Sequence, residues 1–217
     1  MPARTIAIGD IHGHSAALAA ILSVIDPQPD DTLVLLGDYV DRGPDSRGVL
    51  EQVIELGNRC HVVPLMGNHE EMMLGAREGW DNLRFWLRCG GDAALQSYGQ
   101  AEDVSLTPRE HLRLLEGLAR FYETERHFFI HANYAPNWRL EEHDSKTALW
   151  LPLTDLPGRH YSGKIAILGH TPQENQMILD LGYLKCIDTG CGYGGPLTAL
   201  DVGRGKIWQV DEAGRPV

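Results

Sequence analysis

The sequence predicts an α/β fold in which a mixed central sheet is flanked by helices. Strand, loop and helix patterns alternate three times in the first third of the chain, and each predicted strand is a short apolar run that ends in glycine and polar residues. The C-terminal segment has the pattern of short antiparallel strands, so the sheet is mixed. A chain of 217 residues is long enough for one domain, which we place at residues 1–217.

The first three βα units follow from apolar runs and helical periodicity. Leucine and isoleucine residues at helical spacing predict a first helix that ends at Asp26–Pro27, and amphipathic patterns predict two more helices at 46–56 and 71–76. The predicted strands are residues 5–8, 32–36 and 61–65.

Residues from about 77 to 126 differ in character from the βα units. Aromatic side chains crowd the first half of this segment around Gly90–Gly91, and Thr107–Glu110 begins a helical pattern. We expect a small helical insertion beside the functional site, within the same domain. Its aromatic residues are more typical of a local core than of a substrate-binding wall. They are Trp80, Phe85, Trp86 and Tyr98.

Two further strands and a long loop follow the insertion. Residues 128–130 and 165–168 are apolar runs typical of buried strands. Residues 132–163 hold scattered prolines and charges, so we expect an irregular surface loop, and loops of this length are usually functional. The C-terminal strands are predicted at 184–187, 197–201 and 207–210.

Composition and charge exclude several classes of function. Hydrophobic residues make up 43% of the chain and charged residues 23%, which is typical of a globular protein. The formal net charge of −11 disfavours nucleic-acid polymers and anionic membranes as partners. An acidic protein that binds phosphate must therefore create a positive potential locally, from metal ions or a few arginines.

The sequence also indicates a compartment. The first predicted strand begins almost at the initiator methionine, so we expect no secretory signal, and no apolar run approaches membrane-spanning length. The four cysteines contain no C-x-x-C pair, which favours buried reduced thiols over a structural zinc site at Cys186 and Cys191. We therefore predict a cytoplasmic protein.

The stretch Gly37–Gly43 is the centre of the functional prediction. It places Asp38, Asp41 and Arg42 between two glycines, directly after an apolar strand. A buried parallel strand delivers such residues to the carboxyl edge of the sheet, where open α/β folds bind their ligands. We therefore expect Asp38 to lie between two metal ions. Asp41 and Arg42 could instead form a surface ion pair, an alternative that their position beside Asp38 disfavours.

Other predicted strands also end in possible metal ligands. Asp10 and His12 follow the first strand, and an extended backbone there would point both side chains to the same side. Carboxylate, amide and imidazole ligands suit manganese, iron or zinc, and their number indicates two ions that share a carboxylate. Taken singly, each residue could be a turn residue or a satisfied core histidine. The candidates on later strands are Asn68, His69, His131 and His170.

Five motifs, in this order, resemble a known family. They are GDIHG at 9–13, GDYVDRG at 37–43, GNHE at 67–70, a histidine after a strand at 131, and GHT at 169–171. The chain is similar to the phosphoprotein-phosphatase branch of the calcineurin-like metallophosphoesterases. The resemblance to its bacterial serine/threonine protein phosphatase-like members extends over nearly the whole chain and implies an α+β four-layer sandwich of the metallophosphatase type.

The resemblance also implies roles for the motif residues. His69 would be the general acid that protonates the leaving oxygen, Asp41 would orient it and raise its pKa, and Arg42 would grip the phosphate. Two divalent ions would be bound, with manganese as the first choice and iron or zinc as alternatives. One ion would be held by Asp10, His12 and Asp38, and the other by Asp38, Asn68, His131 and His170.

The implied activity is metal-dependent phosphoester hydrolysis by direct attack of a bridging hydroxide, without a covalent enzyme intermediate. A serine/threonine protein phosphatase is the leading prediction. The alternative enzyme is a dinucleoside polyphosphate hydrolase or phosphodiesterase, which would take a small phosphoester or a nucleotide. The alternative outside enzymes is a metal-stabilised binding module, which the intact His69, Asp41 and Arg42 disfavour.

Two positions depart from the pattern of the family. Relatives that act on phosphoproteins often carry arginine where this chain has Met66 and Leu151. Each missing arginine removes a charge-assisted donor worth about 1.5–3 kcal/mol, which weakens the case for a dianionic phosphomonoester and leaves room for a less charged diester or a nucleotide. The arginines that could compensate are Arg77, Arg88, Arg139 and Arg159.

Overall fold

Ten strands and six α-helices make up the computed structural model within residues 3–99 and 107–217, the part of the chain that the structure describes. The strands are β1 (Thr5–Ile8), β2 (Thr32–Leu35), β3 (His61–Pro64), β4 (Phe121–Glu123), β5 (His127–Ile130), β6 (Ile165–Leu168), β7 (Leu179–Asp180), β8 (Leu184–Cys186), β9 (Leu197–Asp201) and β10 (Lys206–Val210). The helices are α1 (Ser15–Ile25), α2 (Ser46–Leu56), α3 (Asn68–Gly75), α4 (Trp80–Trp86), α5 (Asp92–Ser97) and α6 (Arg109–Glu116).

The strands form two mixed sheets of five strands each, which confirms the predicted fold class. The first sheet has the order β10-β9-β1-β2-β3, and its β1, β2 and β3 are parallel. The second has the order β4-β5-β6-β8-β7, and its β5, β6 and β8 are parallel. The strands that the sequence predicts for one central sheet are thus divided between two.

The two sheets pack face to face, and alternate residues of each strand face different layers. In β1, Ile6 and Ile8 share an apolar cluster with residues of α1 and α2. Ala7 instead belongs to the cluster between the sheets, where it is joined by Phe129 and Ile167 of the second sheet. Because these strands are apolar on both faces, the sequence pattern does not tell which sheet a strand joins.

The long segment 132–163 covers the outer face of the second sheet. It is irregular apart from a 3-10 turn at Leu140–Glu142 and a π-helical turn at Lys146–Trp150. Its Tyr134 and Leu149 pack in one buried cluster with Phe128 of β5. The loop predicted from the sequence therefore supplies the fourth layer of the sandwich.

Three helices, α4 to α6, lie between α3 and β4, in the segment that the sequence predicts as a helical insertion. The last residues of this segment form β4, and residues 100–106 lie outside the described ranges. Trp86 is fully buried, as a local core predicts, but Trp80 is 63% and Phe85 45% exposed. The boundaries of the insertion at 77–126 and of a single domain at 1–217 stay predictions.

All four cysteine thiols are free. Cys186 Sγ lies 3.4 Å from the carbonyl oxygen of Gly169, and Cys191 Sγ lies 3.6 Å from that of Ile11, so both serve as small core side chains. None of the helices in the described ranges is long and apolar enough to cross a membrane.

Arg4 and Asp31 join the start of β1 to the start of β2. The backbone N–H of Arg4 donates to Asp31 Oδ1 at 2.9 Å, its Nε donates to Oδ2 at 3.0 Å, and the backbone N–H of Gln28 donates to Oδ2 at 2.8 Å. Burial raises the pKa of Asp31, but the hydrogen bonds from Arg4 and Gln28 outweigh it and lower the pKa to about 2. Since the unfolded value is about 3.9, the carboxylate stabilises the fold above that pH and loses its effect as the pH falls to 2.

We expect Asp31→Asn to lower the free energy of unfolding at pH 7, because the ionised carboxylate is lost. The expected loss is only about 1–2 kcal/mol, because Arg4 is partly exposed and solvent screens part of the interaction. The difference from the parent protein should shrink as the pH falls from 4 toward 2. Urea unfolding at several pH values measures it, with the exposed neighbour Asp30→Asn as control. A difference that stays constant over this range would show that the charge of Asp31 is not responsible.

Candidate metal centre

The carboxyl ends of β1, β2, β5 and β6 meet at one edge of the sandwich. Asp10, Asp38, His131 and His170 each follow one of these strands by one to three residues, and α3 begins beside them. All nine residues that the sequence analysis singled out contact another member of the set and are buried or half-buried. They are Asp10, His12, Asp38, Asp41, Arg42, Asn68, His69, His131 and His170.

The backbone at this edge is strained. Five of the nine residues have a positive φ: His12 (46°), Asp38 (52°), Asp41 (74°), Arg42 (66°) and His170 (65°). Each such conformation costs about 1–3 kcal/mol, and strain of this kind clusters at functional sites. The extended backbone expected through His12 is wrong, because the N–H groups of Ile11 and His12 both donate to the carbonyl oxygen of Asp38, at 3.0 and 2.8 Å, and bend the loop.

Asp38 lies at the centre of the cluster. Its Oδ1 accepts from the backbone N–H of His69 at 3.1 Å and lies 3.5 Å from His131 Nε2, while its Oδ2 lies 3.6 Å from His12 Nε2. Burial alone would raise the pKa of Asp38, but the positive charges that His131, His69 and His12 carry when protonated lower it below its usual range. Asp38 therefore presents an ionised carboxylate with one oxygen toward each side.

Two groups of side chains could each hold a divalent ion, and both include Asp38. The donor atoms of His12, Asp38 and His69 lie within 4.8 Å of one another, and so do those of Asp38, His131 and His170. Oxygen and imidazole donors suit manganese, iron or zinc. The shared carboxylate is the arrangement expected of a two-metal centre.

Hydrogen bonds fix the orientation of three histidine rings. His131 Nδ1 faces the carbonyl oxygen of Leu36 at 2.7 Å, and His12 Nδ1 faces that of Val40 at 3.2 Å. His170 uses Nε2 in the same way, 3.2 Å from the carbonyl oxygen of Trp150. Because a carbonyl oxygen only accepts, each of these nitrogens carries the proton. The other nitrogen of each ring has a lone pair that faces the centre, and on His12 this nitrogen, Nε2, accepts from Arg42 Nη1 at 2.6 Å.

The same three rings are uncharged near neutral pH. Burial lowers the pKa of His12 and of His131, and it lowers the pKa of His170 to about 4. A neutral imidazole is the form that binds a metal ion.

The atoms around Asn68 indicate whether a cation fits between the ligands. Asn68 Oδ1 lies 3.0 Å from His131 Nε2 and 3.0 Å from His170 Nδ1. The Asn68 oxygen and the two ring nitrogens are all acceptors, and no proton lies between them. Their lone pairs therefore repel one another unless a cation lies among the three atoms. Asp10 shows the same need, because its Oδ1 is buried and has no hydrogen-bond partner among the described residues. The residues present therefore fit divalent metal ions.

His69 is held differently from the other histidines. Its Nδ1 lies 2.6 Å from Asp41 Oδ2 and its Nε2 lies 3.0 Å from Arg42 Nη2. Burial lowers the pKa of His69, but the charge of Asp38 and the hydrogen bond to Asp41 outweigh burial and leave the pKa above its usual value. A histidine with a carboxylate on one nitrogen can serve as a general acid through the other nitrogen, here Nε2, once that nitrogen carries the proton.

Arg42 is fixed from several sides. Its guanidinium reaches His12 Nε2 at 2.6 Å and His69 Nε2 at 3.0 Å, and it stacks 4.3 Å from the centre of the Tyr193 ring. Its backbone N–H donates to the carbonyl oxygen of Gly90 at 3.1 Å. The guanidinium is thus held over the cluster, where it can bind an anion.

The sequence profile of the family described as calcineurin-like phosphoesterase matches residues 3–193. The chain belongs to the calcineurin-like phosphoesterase family. It is therefore a hydrolase and a metallophosphoesterase, and the binding-module alternative is set aside.

Three proteins illustrate the similarity. Serine/threonine-protein phosphatase 1 of Salmonella typhimurium is 33% identical over 88% of each chain. A symmetrical bis(5'-nucleosyl)-tetraphosphatase of Janthinobacterium sp. is 28% identical, over 91% of this chain and 92% of the relative. A solved structure described as a putative diadenosine tetraphosphatase superposes with a TM-score of 0.70 at 23% identity, over 95% of this chain and 92% of that one, which shows the shared fold.

The phosphoesterase has a buried carboxylate whose role the sequence analysis missed. Glu70 is fully buried, and it accepts from the backbone N–H groups of Asp38 (2.8 Å) and Gly67 (3.0 Å) on Oε2 and of Tyr39 (2.7 Å) and Val40 (3.3 Å) on Oε1. It therefore fixes the loop that carries Asp38. The only signal in the sequence was its place as the last residue of GNHE.

Asp188 and Trp86 were also missed. Asp188 is buried, and burial together with Asp38 raises its pKa to about 7. Trp86 was predicted to be local core, and it is buried, but its indole Nε1 donates to both carboxylate oxygens of Asp41. Neither residue stands in a motif that indicates chemistry by itself.

The compensating arginines predicted from the sequence have other partners. Arg77 lies 3.3 Å from Glu116, Arg139 lies 3.5 Å from Glu141, and Arg159 stacks on Tyr183 at 5.3 Å. Arg88 is exposed on the insertion. Met66 is half-buried in the core and Leu151 is 42% exposed. In the described part of the chain, the arginine that contacts the histidine cluster is Arg42.

We expect Asp38→Asn to lower the occupancy of both ions, because one carboxylate serves both groups of ligands. Metal analysis of protein purified with manganese measures the stoichiometry, and the exposed Asp155→Asn is the control. Retention of two ions by the Asp38 variant would show that the shared ligand is another residue.

Proposed function

We propose that this phosphoesterase is a serine/threonine protein phosphatase that works with two divalent ions, manganese being the preferred metal. The observation that carries the proposal is the convergence of metal-ligand atoms on Asp38 beside the pair formed by His69 and Asp41. Two bound divalent ions would supply a nucleophile at neutral pH and neutralise phosphate charge.

The proposed ligands divide into two sets. Asp10 is assigned to the first set because its buried Oδ1 has no hydrogen-bond partner among the described residues. In the group of donor atoms that lie within 4.8 Å of one another, His69 stands with His12 and Asp38 instead. His69 is left out because its Nδ1 is engaged by Asp41, which suits proton transfer from Nε2. The first set is Asp10, His12 and Asp38, and the second is Asp38, Asn68, His131 and His170.

His69 and Arg42 are proposed to act on the phosphoester together. Arg42 Nη2 lies 3.0 Å from His69 Nε2, which accepts from it while that nitrogen is unprotonated. When His69 is protonated, the oxygens of a bound phosphoester can accept from both groups instead. His69 then gives its proton to the leaving oxygen, while Asp41 stabilises the protonated ring until the proton has moved.

Two observations support a protein as the substrate. The Salmonella typhimurium relative named a serine/threonine phosphatase matches over 88% of both chains. The rim beside the site is also open and apolar: Phe85 packs 6.2 Å from the Trp150 ring, Leu151 is exposed, and the carbonyl oxygen of Trp150 accepts from His170. An open rim admits a phosphorylated side chain that is attached to a larger molecule.

A symmetrical dinucleoside tetraphosphate is the second candidate substrate. It is favoured by the Janthinobacterium relative, which matches over 91% of this chain. A cleft of about 320 Å³ beside Tyr193, lined by Pro172, Gln173 and Thr189, has room for a nucleoside, and the exposed Tyr193 ring offers a surface on which a base can stack.

A panel of substrates under one manganese condition tests the proposal. We expect the highest kcat/KM with phosphoserine and phosphothreonine peptides, lower values with diadenosine tetraphosphate, and the lowest with bis-p-nitrophenyl phosphate. Because the Tyr193 ring also packs on Arg42, the effect of Tyr193→Ala on the dinucleotide is measured relative to its effect on p-nitrophenyl phosphate. A higher kcat/KM for the dinucleotide, lost in Tyr193→Ala, would favour the second candidate, and no turnover of any substrate with two ions bound would overturn both.

His69→Asn tests the acid role. Because an activated leaving group departs without a proton, we expect a loss of about 10²–10⁴-fold in kcat for phosphopeptides, a much smaller loss for p-nitrophenyl phosphate, and an unchanged metal content. Equal losses for both esters would contradict the role of His69 as an acid.

A further inference from the structure

We infer that Trp86, at the end of α4, is a positioning residue for Asp41 and through it for His69; this inference rests on the acid role proposed above. Its indole Nε1 donates to Asp41 Oδ1 at 3.0 Å and to Oδ2 at 2.9 Å. Both side chains are fully buried. The contact joins the insertion to the loop that carries the catalytic groups, across 45 positions of the chain.

The hydrogen bond from Trp86 decides how Asp41 is oriented. Asp41 Oδ2 faces His69 Nδ1 at 2.6 Å, whereas Oδ1 has the indole as the partner that the structure shows for it. Without that donor, a buried carboxylate oxygen would be left without a hydrogen bond, and the group would be free to rotate away from His69. The indole therefore holds the carboxylate in the plane that His69 requires.

The turn after Trp86 supports the same loop. Residues Leu87–Gly91 form a π-helical kink in which Gly90 has φ 110°, and the Gly90 carbonyl oxygen accepts from the N–H of Arg42 at 3.1 Å. A side chain at Gly91 would collide with the Trp86 ring, so glycine lets the indole pack there. One short segment thus contacts both Asp41 and Arg42.

Trp208 shows that a buried indole N–H need not have a hydrogen-bond partner in this protein. Trp208 is 8% exposed, and its Nε1 is buried without a hydrogen-bond partner among the described residues. A tryptophan that only fills space can therefore leave its N–H unpaired in this fold. That makes Trp208→Phe a matched control, because it removes a buried N–H that touches no catalytic group.

The test compares Trp86→Phe with Trp208→Phe in the manganese-loaded full chain. We expect Trp86→Phe to lower kcat about tenfold for phosphopeptides, to change it less than threefold for p-nitrophenyl phosphate, and to leave KM and metal content unchanged. Trp208→Phe should leave all four values unchanged. Equal losses for both esters, or no loss in Trp86→Phe, would overturn the inference.

Two further measurements keep the test decisive. If Trp86→Phe fails to fold, benzothienylalanine at position 86, which keeps the ring shape and lacks the N–H, should give the same selective loss, and full activity of that protein would overturn the inference. In a His69→Asn background, Trp86→Phe should cause no additional loss. Selective loss in His69→Asn with none in Trp86→Phe would refute the role of Trp86 alone, whereas no selectivity in His69→Asn would refute the proposed acid itself.

Discussion

The arrangement of the site depends on one buried carboxylate, that of Glu70. Its two oxygens accept four backbone N–H groups, three of them from consecutive residues of the loop that follows β2. Burial beside Asp38 raises the pKa of Glu70 to about 8, but both oxygens face N–H donors, an arrangement that the ionised carboxylate satisfies. Hydrogen bonds to a charged acceptor contribute about 1.5–3 kcal/mol each, more than ordinary ones. No uncharged side chain could replace it, since glutamine would turn an NH₂ group toward two of these donors. Glu70 thereby fixes the position of Asp38, around which the remaining ligands lie.

The strained backbone explains why such bracing is required. The left-handed conformations of Asp38, Asp41 and Arg42 cost about 1–3 kcal/mol each, against a total stability of about 5–15 kcal/mol for a typical domain. Glu70 holds the loop from one side. The N–H of Asp41 donates to Ser46 Oγ at 2.9 Å, and that of Arg42 to Gly90 on the insertion, so the loop is bound at both ends.

The strands and the site motifs were predictable from sequence because their signals are local. Short apolar runs mark the strands, and glycine followed by polar residues marks their ends, so the nine candidate residues could be named before their geometry was known. What depends on distant contacts could not be predicted. The division into two sheets depends on pairing between strands that look alike, and the contacts of Glu70 and Trp86 with the loop join residues 32 and 45 positions apart. The φ of His12 depends on a carbonyl oxygen of another strand's loop.

The carboxylates at the site indicate what an acidic protein needs before it can bind a phosphoester. Asp10, Asp38, Asp41, Glu70 and Asp188 are all buried near one another, and burial together with this mutual repulsion raises the pKa of Asp10, Glu70 and Asp188. When ionised, such a cluster repels a phosphate until cations offset it, and Arg42 together with a protonated His69 adds only two positive charges. These buried carboxylates thus make the binding of an anionic substrate depend on metal ions. The site attracts the substrate only once metal ions are bound to the ligand side chains.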